Sequence, residues 1–400
     1  MNAGGLASKI SGPRLSARPY HLLLAFRDRL LTSPKFVRWA VGCPLTRPFV
    51  RHRQRALFDL CAGFVYSQIL LSCVRLGVFD ILRDGSQSLG ELSRRMSLAP
   101  EAASRLLAAA ASLRLVSRRG SDRFGLGPLG AVLAGNSAIG ALIEHHSLLY
   151  TDLADPVALL RGRRDTKLGG FWPYAGAERV IDLNAARVSQ YTRLMAASQT
   201  LIADEVIGAY RFGRHRCLLD VGGGNGSFLA AVGARYPRLR LVLFELPVVA
   251  AQASARLAAA GLASRATVVG GDFRSDPLPN GADIITLVRV VHDHDDGIAL
   301  GLLRAARRAL PAGGVLLLAE PMSATPGAEP VGDAYFGFYL LAMGSGRPRT
   351  PGALAALLRE AGFTEIRRLR TNSPLLTGAI IAKFLSPFFL TLDIVRLSLH

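Results

Sequence analysis

Between Cys217 and Ser227 the chain reads C-L-L-D-V-G-G-G-N-G-S, an apolar run closed by Asp220 and followed by four glycines within five residues. Residues 227–232 then read as a helix. A strand, a glycine turn and a helix make a unit that cradles a nucleotide. The glycines let the backbone come close to a ligand, and the helix N-terminus offers free N–H groups. Strand and helix patterns alternate from there on. Strands are predicted at 217–221, 240–244, 266–269, 284–288, 315–319, 365–370 and 378–384, and helices near 227–235, 247–260, 297–309, 331–342 and 352–361. That alternation implies an α/β fold with a mostly parallel seven-stranded sheet and crossover helices. Only a short turn separates the last two strands, so they must be antiparallel neighbours.

The first half is different. Residues 57–82 form a long helical pattern, interrupted near Gly77. Short helices are predicted at 88–96 and 100–113, the second opened by Pro100 and Glu101. A hairpin follows at 115–126. Helix, turn, helix and wing make a winged-helix shape, whose two common uses are DNA binding and dimerisation. The candidate recognition helix carries Ala102, Ala103 and a run of alanines at 108–111. It has few groups able to read base edges, which favours a packed interface over nucleic acid. Residues 141–215 are mostly helical. Of His145 and His146, one is expected to pack and one to be solvated. An aromatic loop holds Trp172 and Tyr174, and a long helix is expected from Arg187 to Ala209.

Charge enters the argument at the N-terminus. The chain has a formal net charge of +19, with only four lysines, so arginine supplies the excess. One reading of this excess is a coding bias toward arginine and alanine, and the other is attraction to an anionic surface. In residues 20–55, however, basic and apolar positions are mixed in a way that suits the surface of an anionic bilayer. The competing reading is an arm packed on a partner subunit. No uncharged apolar run reaches about 18 residues, so no transmembrane helix is predicted, and no signal peptide is recognised. The four cysteines form no C-x-x-C pair or ligand cluster, which fits a reducing cytoplasm and argues against a zinc site.

The ligand class follows from what the glycine loop lacks. A dinucleotide fingerprint needs G-x-G-x-x-G/A, and from Gly222 and Gly224 the sixth position is Ser227. No G-x-x-x-x-G-K-[ST] phosphate loop occurs either. What remains is Asp220, Gly222, Gly224 and Gly226 in D-x-G-x-G-x-G. A ligand with ribose and base but no phosphates fits, as in S-adenosylmethionine. Glu245, at the end of the second strand, is placed to accept ribose hydroxyls. Asp272 follows the third strand and is suited to the adenine amino group with Phe273 on the ring, although a turn aspartate is the plainer reading. After the fourth strand comes R-V-V-H-D-H-D-D. It offers Arg289 to the cofactor side and His292 as a proton acceptor at the carboxyl end of the sheet. The acidic run 293–296 reads as a helix start rather than a metal cluster. Glu320 closes the fifth strand beside His292, where it can fix the imidazole tautomer. Tyr335, Phe338, Tyr339 and Met343 lie at helical spacing, as substrate wall or as core, with Tyr174 as a further wall residue.

Taken in order, L-L-D-V-G-G-G-N-G, F-E-L-P, G-D-F, R-V-V-H-D-H-D-D, A-E-P and R-E-A-G-F resemble the two-domain class I O-methyltransferases of the caffeate and hydroxyindole type. Residues 58–68, 146–156 and 172–175 are more similar still to the bacterial carotenoid O-methyltransferases. The resemblance implies a Rossmann-like class I methyltransferase domain preceded by an all-helical winged-helix dimerisation domain, helical apart from its hairpin wing. It further implies S-adenosylmethionine as cofactor, a homodimer, His292 as general base with Glu320, and methylation of the C-1 hydroxyl of an acyclic, lipophilic hydroxycarotenoid. The family tryptophan of H-D-W is His294 here, and a second family glutamate is Pro348. The expected organisation is a basic extension (1–55), a winged-helix domain (56–180), a catalytic domain (181–384) and an apolar tail (385–400). The expected location is the cytoplasm, with peripheral contact to the inner membrane. Two other readings stay open on the residues alone: methylation of a small phenolic or polyketide hydroxyl, and a non-enzymatic winged-helix regulator.

Overall fold

The computed structural model describes residues 17–171, residue 199 and residues 202–384. Tyr174, the aromatic loop around it, most of the helix expected before Ala209, and the tail 385–400 lie outside the described residues.

The chain begins with helices Ala17–Leu31, Pro34–Gly42 and Arg47–Arg75. The third runs straight through the boundary expected at residue 55. Pro48 sits in its first turn, where a missing N–H costs nothing, and no other proline interrupts it. It stops where foreseen, because Gly77 adopts φ +65°. By length and composition this helix is apolar enough to cross a membrane, with 11% of its apolar window buried. Asp59 is what breaks the uncharged run in the sequence.

Helices Leu89–Arg95 and Pro100–Ser112 follow, then a small sheet. Its strands are β1 (Gln87–Ser88), β2 (Val116–Arg118) and β3 (Arg123–Leu126), with β3 in the centre. The wing therefore has one strand more than the hairpin read from sequence. A two-residue strand is too short to carry an alternation pattern. Cys73, Phe79, Leu92, Leu107 and Phe124 close the core of this unit.

The catalytic half is a seven-stranded sheet. Its strands are β4 (Cys217–Val221), β5 (Arg240–Glu245), β6 (Ala266–Gly270), β7 (Ile284–Val288), β8 (Val315–Glu320), β9 (Glu365–Leu369) and β10 (Gly378–Lys383). Their order is β6-β5-β4-β7-β8-β10-β9, parallel except for β10, which runs antiparallel to both neighbours. β4, β7 and β8 are buried along their whole length, as near-continuous apolar runs covered by helices on both faces must be. Helices Asp296–Ala309 and Pro351–Glu360 cover one face. Helices Ser227–Arg235 and Pro247–Ala259 cover the other. The strand order reverses between β4 and β7, which places a ligand crevice at their carboxyl ends.

Candidate active site

Asp220, at the inner end of the glycine turn, is fully buried. Its Oδ1 accepts the Thr286 hydroxyl at 2.6 Å, while Oδ2 is buried without a hydrogen-bond partner. Burial pushes this carboxyl up to about 7, against the lowering effect of the Thr286 bond. A Cβ on Gly223 would stand 2.1 Å from Asp220 Oδ2 and 2.6 Å from Leu243 Cδ1. Asp220 thus supports the turn from beneath, and residue 223 has to be glycine. Above the turn, nothing lies within 4 Å of the Cβ position of Gly224.

Glu245 leaves β5 beside this opening. Its Oε2 accepts the Gly224 N–H at 2.8 Å and its Oε1 the Leu246 N–H at 2.8 Å. Burial raises its pKa against those two bonds. Asp272 follows β6, and Arg274 grips both of its oxygens, from Nε at 3.0 and 2.9 Å and from Nη2 at 2.7 Å. Burial works upward on the Asp272 carboxyl, but the Arg274 bonds and charge prevail and hold it below the usual carboxylate range. Phe273 turns its ring edge-on to His294, with centroids 5.3 Å apart.

At the end of β7, Arg289 takes φ +57°, a strained value for a residue with a side chain, and its N–H donates to Ala319 O at 2.8 Å. This bend turns the following loop across the end of β8. There Glu320 accepts the N–H groups of Val290 (3.1 Å) and Val291 (2.8 Å) on Oε1, and meets His292 Nδ1 with Oε2. Glu320 and His292 are both buried. With Nδ1–H given to the carboxylate, Nε2 is the basic nitrogen. That atom lies 3.0 Å from Asp293 Oδ1, close in charge but without hydrogen-bond alignment. Burial lowers the His292 pKa; Asp293 and Glu320 outweigh it and set the imidazole at about 9.

The loop is held from the other side by the segment containing Pro348. Arg349 is buried, and its guanidinium donates to Val291 O (2.8 Å), His294 O (2.7 Å) and Asp296 Oδ1 (2.8 Å). The Arg347 N–H donates to His292 O at 2.9 Å. Gly346 approaches so closely that a Cβ there would stand 2.2 Å from His292 O. The histidine loop is thus braced by Arg349, with Asp293 set beside the imidazole. Sequence reasoning missed Arg349, because its partners lie more than fifty residues away in the chain. It read Asp293 only as part of an acidic run. Thr286, a polar residue in the apolar strand I-I-T-L-V, was a visible signal that went unread.

The helical segment after β8 divides the expected wall residues. Residues Pro330–Tyr335 form a π-helical stretch and Phe336–Met343 an α-helix. Phe336, which was not singled out, is the ring against His292, edge-on with centroids 5.8 Å apart. Phe338 faces outward, and Met343 packs with Leu149, Leu159 and Leu168 in a small core. Of the two readings open for these positions, wall or core, Met343 takes the core one. Tyr335 and Tyr339 point toward helix Ser137–Asp152, where their hydroxyls meet His146 Nε2 and His145 Nε2, each at 2.8 Å. Neither histidine is freely solvated. Burial brings His145 down to about 4, with a smaller push from His146, and also lowers His146. Burial raises Tyr335 to about 12.

An O-methyltransferase domain family matches residues 150–364, and the O-methyltransferase dimerisation domain matches residues 58–136. This chain belongs to the O-methyltransferase family. The demethylspheroidene O-methyltransferase of Cereibacter sphaeroides is 43% identical over 355 residues, covering 88% of this chain and 93% of that protein. The enzyme of the same name from Rhodobacter capsulatus is 40% identical, covering 90% and 89%. Among solved structures, the calicheamicin-biosynthesis methyltransferase CalO1 in its SAH-bound form superposes with a TM-score of 0.70 at 26% identity, covering 83% of this chain and 98% of that one. The protein is an S-adenosylmethionine-dependent O-methyltransferase with a class I methyltransferase domain and an N-terminal dimerisation domain, and the regulator reading is set aside. The cradle fits that cofactor: an open space above Gly224, a carboxylate at Glu245 beside it, and no basic cluster on the loop that would select phosphates.

Proposed function

We propose that this enzyme methylates the C-1 hydroxyl of an acyclic hydroxycarotenoid of the demethylspheroidene type, as a step of carotenoid biosynthesis. The observation that carries the acceptor is the identity of 43% along nearly the whole length of a relative bearing that name. Glu245 would hold the ribose of S-adenosylmethionine, Asp272 and Phe273 its base, and the turn over Asp220 its amino-acid end. When bound, the cofactor supplies an electrophilic methyl group. His292 is the general base. A tertiary alcohol is far too weak an acid to be deprotonated beforehand, so His292 Nε2 takes the proton as the hydroxyl becomes an ether. Glu320 fixes the tautomer and stabilises the imidazolium that forms. Asp293 now occupies the approach to Nε2, so the acceptor hydroxyl takes its place. Phe336 and the Tyr335 ring supply apolar surface next to the base, which suits a hydrocarbon acceptor.

The test is a competition. The purified protein is given labelled S-adenosylmethionine with an acyclic 1-hydroxycarotenoid and a simple phenol together. Label is expected in the carotenoid as a methyl ether. Label in the phenol alone overturns the acceptor assignment.

A further inference from the structure

Outside the catalytic crevice, the most unusual surface is made by helices Ala17–Leu31 and Pro34–Gly42 with the first turns of Arg47–Arg75. All three precede or open the dimerisation match at residue 58. We propose that this surface docks on an anionic lipid bilayer, lying in its interfacial plane.

The helices keep little of their apolar surface to themselves. Leu45 is 85% exposed, Phe49 75% and Leu22 71%, and Leu23, Phe26 and Trp39 are exposed too. Leu22, Leu23 and Phe26 share one side of their helix, while Leu24 and Leu30 are half-buried. Arg27 and Arg29 flank the projecting side. Long basic side chains at the margins of an apolar stripe can lay their stems along hydrocarbon and their charges among headgroups. An exposed tryptophan at the rim suits the same boundary.

Charge selects the kind of bilayer. Residues 21–55 hold eight arginine and lysine residues and one acid, Asp28. Among the described residues of this segment, Arg27 is the only one of these cations in an ion pair, with Asp28. Arg47 and Arg51, one turn apart, line a cleft of about 310 Å³ with Val41, Val50 and Gln54. Two guanidinium groups beside Val41 and Val50, that of Arg47 also donating to Val41 O and Gly42 O, match an anionic headgroup above acyl chains. A second copy of the chain fits less well. Where such a patch meets itself across a two-fold axis, like charges face each other. The third helix is also anchored at its far end, where Leu71 and Cys73 are buried and Cys73 packs in the core of the winged-helix unit, which suits lying on the bilayer better than crossing it.

The test uses the full chain and vesicles. The protein is expected to co-sediment with vesicles containing phosphatidylglycerol and to stay in solution with phosphatidylcholine alone. Salt at about 0.5 M should release it, since screening then reaches only a few ångströms. Each arginine near such a surface changes the partition coefficient roughly fivefold. The double variant Arg47→Gln/Arg51→Gln should therefore bind roughly twenty-five-fold more weakly. Leu22→Ser/Phe26→Ser should lose vesicle binding while its mass by sedimentation velocity stays that of the wild type. Calorimetric binding of S-adenosylmethionine checks that each variant is folded, and the wild-type lipid and salt comparisons decide even without the variants. The proposal is overturned by failure to bind phosphatidylglycerol vesicles or by equal, salt-insensitive binding to both lipids. It is equally overturned if the apolar variant keeps vesicle binding but loses the wild-type mass, which would make this face a chain–chain contact.

Discussion

A buried imidazole tends to give up its proton, and two carboxylates against it reverse that tendency. At His292 the reversal wins and places the pKa at about 9. A base with that value is mostly protonated at neutral pH, and only the neutral ring can take a proton. Turnover per unit substrate should therefore rise with pH and level off near 9, as kcat/KM across pH 6 to 10 will show. In Asp293→Asn one of the raising charges is gone, so the bend should move to lower pH. An unmoved bend would show that Asp293 does not act on the base. The same group affects stability in a defined window. Its folded pKa lies above the unfolded value near 6.5, so its contribution is complete below that value and disappears as pH rises through about 9. Thermal unfolding should accordingly shift downward between those limits. Glu245 and Glu320 were legible in the sequence because each ends a strand of an α/β sheet, and His292 because it follows one closely, where ligands gather. Asp293 was not, because its role depends on which way a short loop turns after Arg289.

Two loops meet at the site, and each rests on one residue beneath it. Under the glycine turn this is Asp220. Gly223→Ala would drive a methyl group into the carboxylate and into Leu243, so the turn must move. Strain of this kind costs about 1–3 kcal/mol. Affinity for S-adenosylmethionine, read by calorimetry, should fall more than the turnover of cofactor-saturated enzyme. Under the histidine loop it is Arg349. Arg349→Met keeps the stem and removes the donors to the carbonyls of Val291 and His294. Leaving such groups unpaired costs about 1–3 kcal/mol each. Thermal unfolding should come earlier and kcat should drop, with cofactor affinity unchanged. A variant with normal kcat would show that the brace is dispensable. The strands and the crossover helices were readable because apolar period and turn residues agree locally. The π-helical stretch at 330–335 and the two-residue β1 carry no such period. For the same reason the sequence left the residues after β8 open between wall and core.

At the scale of the molecule, the long helix Arg47–Arg75 serves two neighbours. Leu57, Leu60 and Phe64 form an exposed stripe along it, inside or beside the dimerisation match. A charge there should separate the subunits. Phe64→Asp is expected to sediment as a monomer where the wild type sediments as a dimer, and an unchanged mass would place the contact elsewhere. Helix Ser137–Asp152 joins this half to the catalytic half, touching Arg47–Arg75 through the Arg75–Glu144 pair and the substrate side through His145 and His146. The tyrosines near His292 are thus held by a helix that also contacts the dimerisation half. The most direct measurement is turnover of an acyclic 1-hydroxycarotenoid by the wild type and by His292→Ala, with S-adenosylmethionine affinity followed in parallel. The wild type should form the methyl ether, and the variant should lose about 10²- to 10⁴-fold in rate at undiminished cofactor affinity. A wild type that transfers no methyl group to the carotenoid, or a variant that turns over at the full rate, would contradict the assignment.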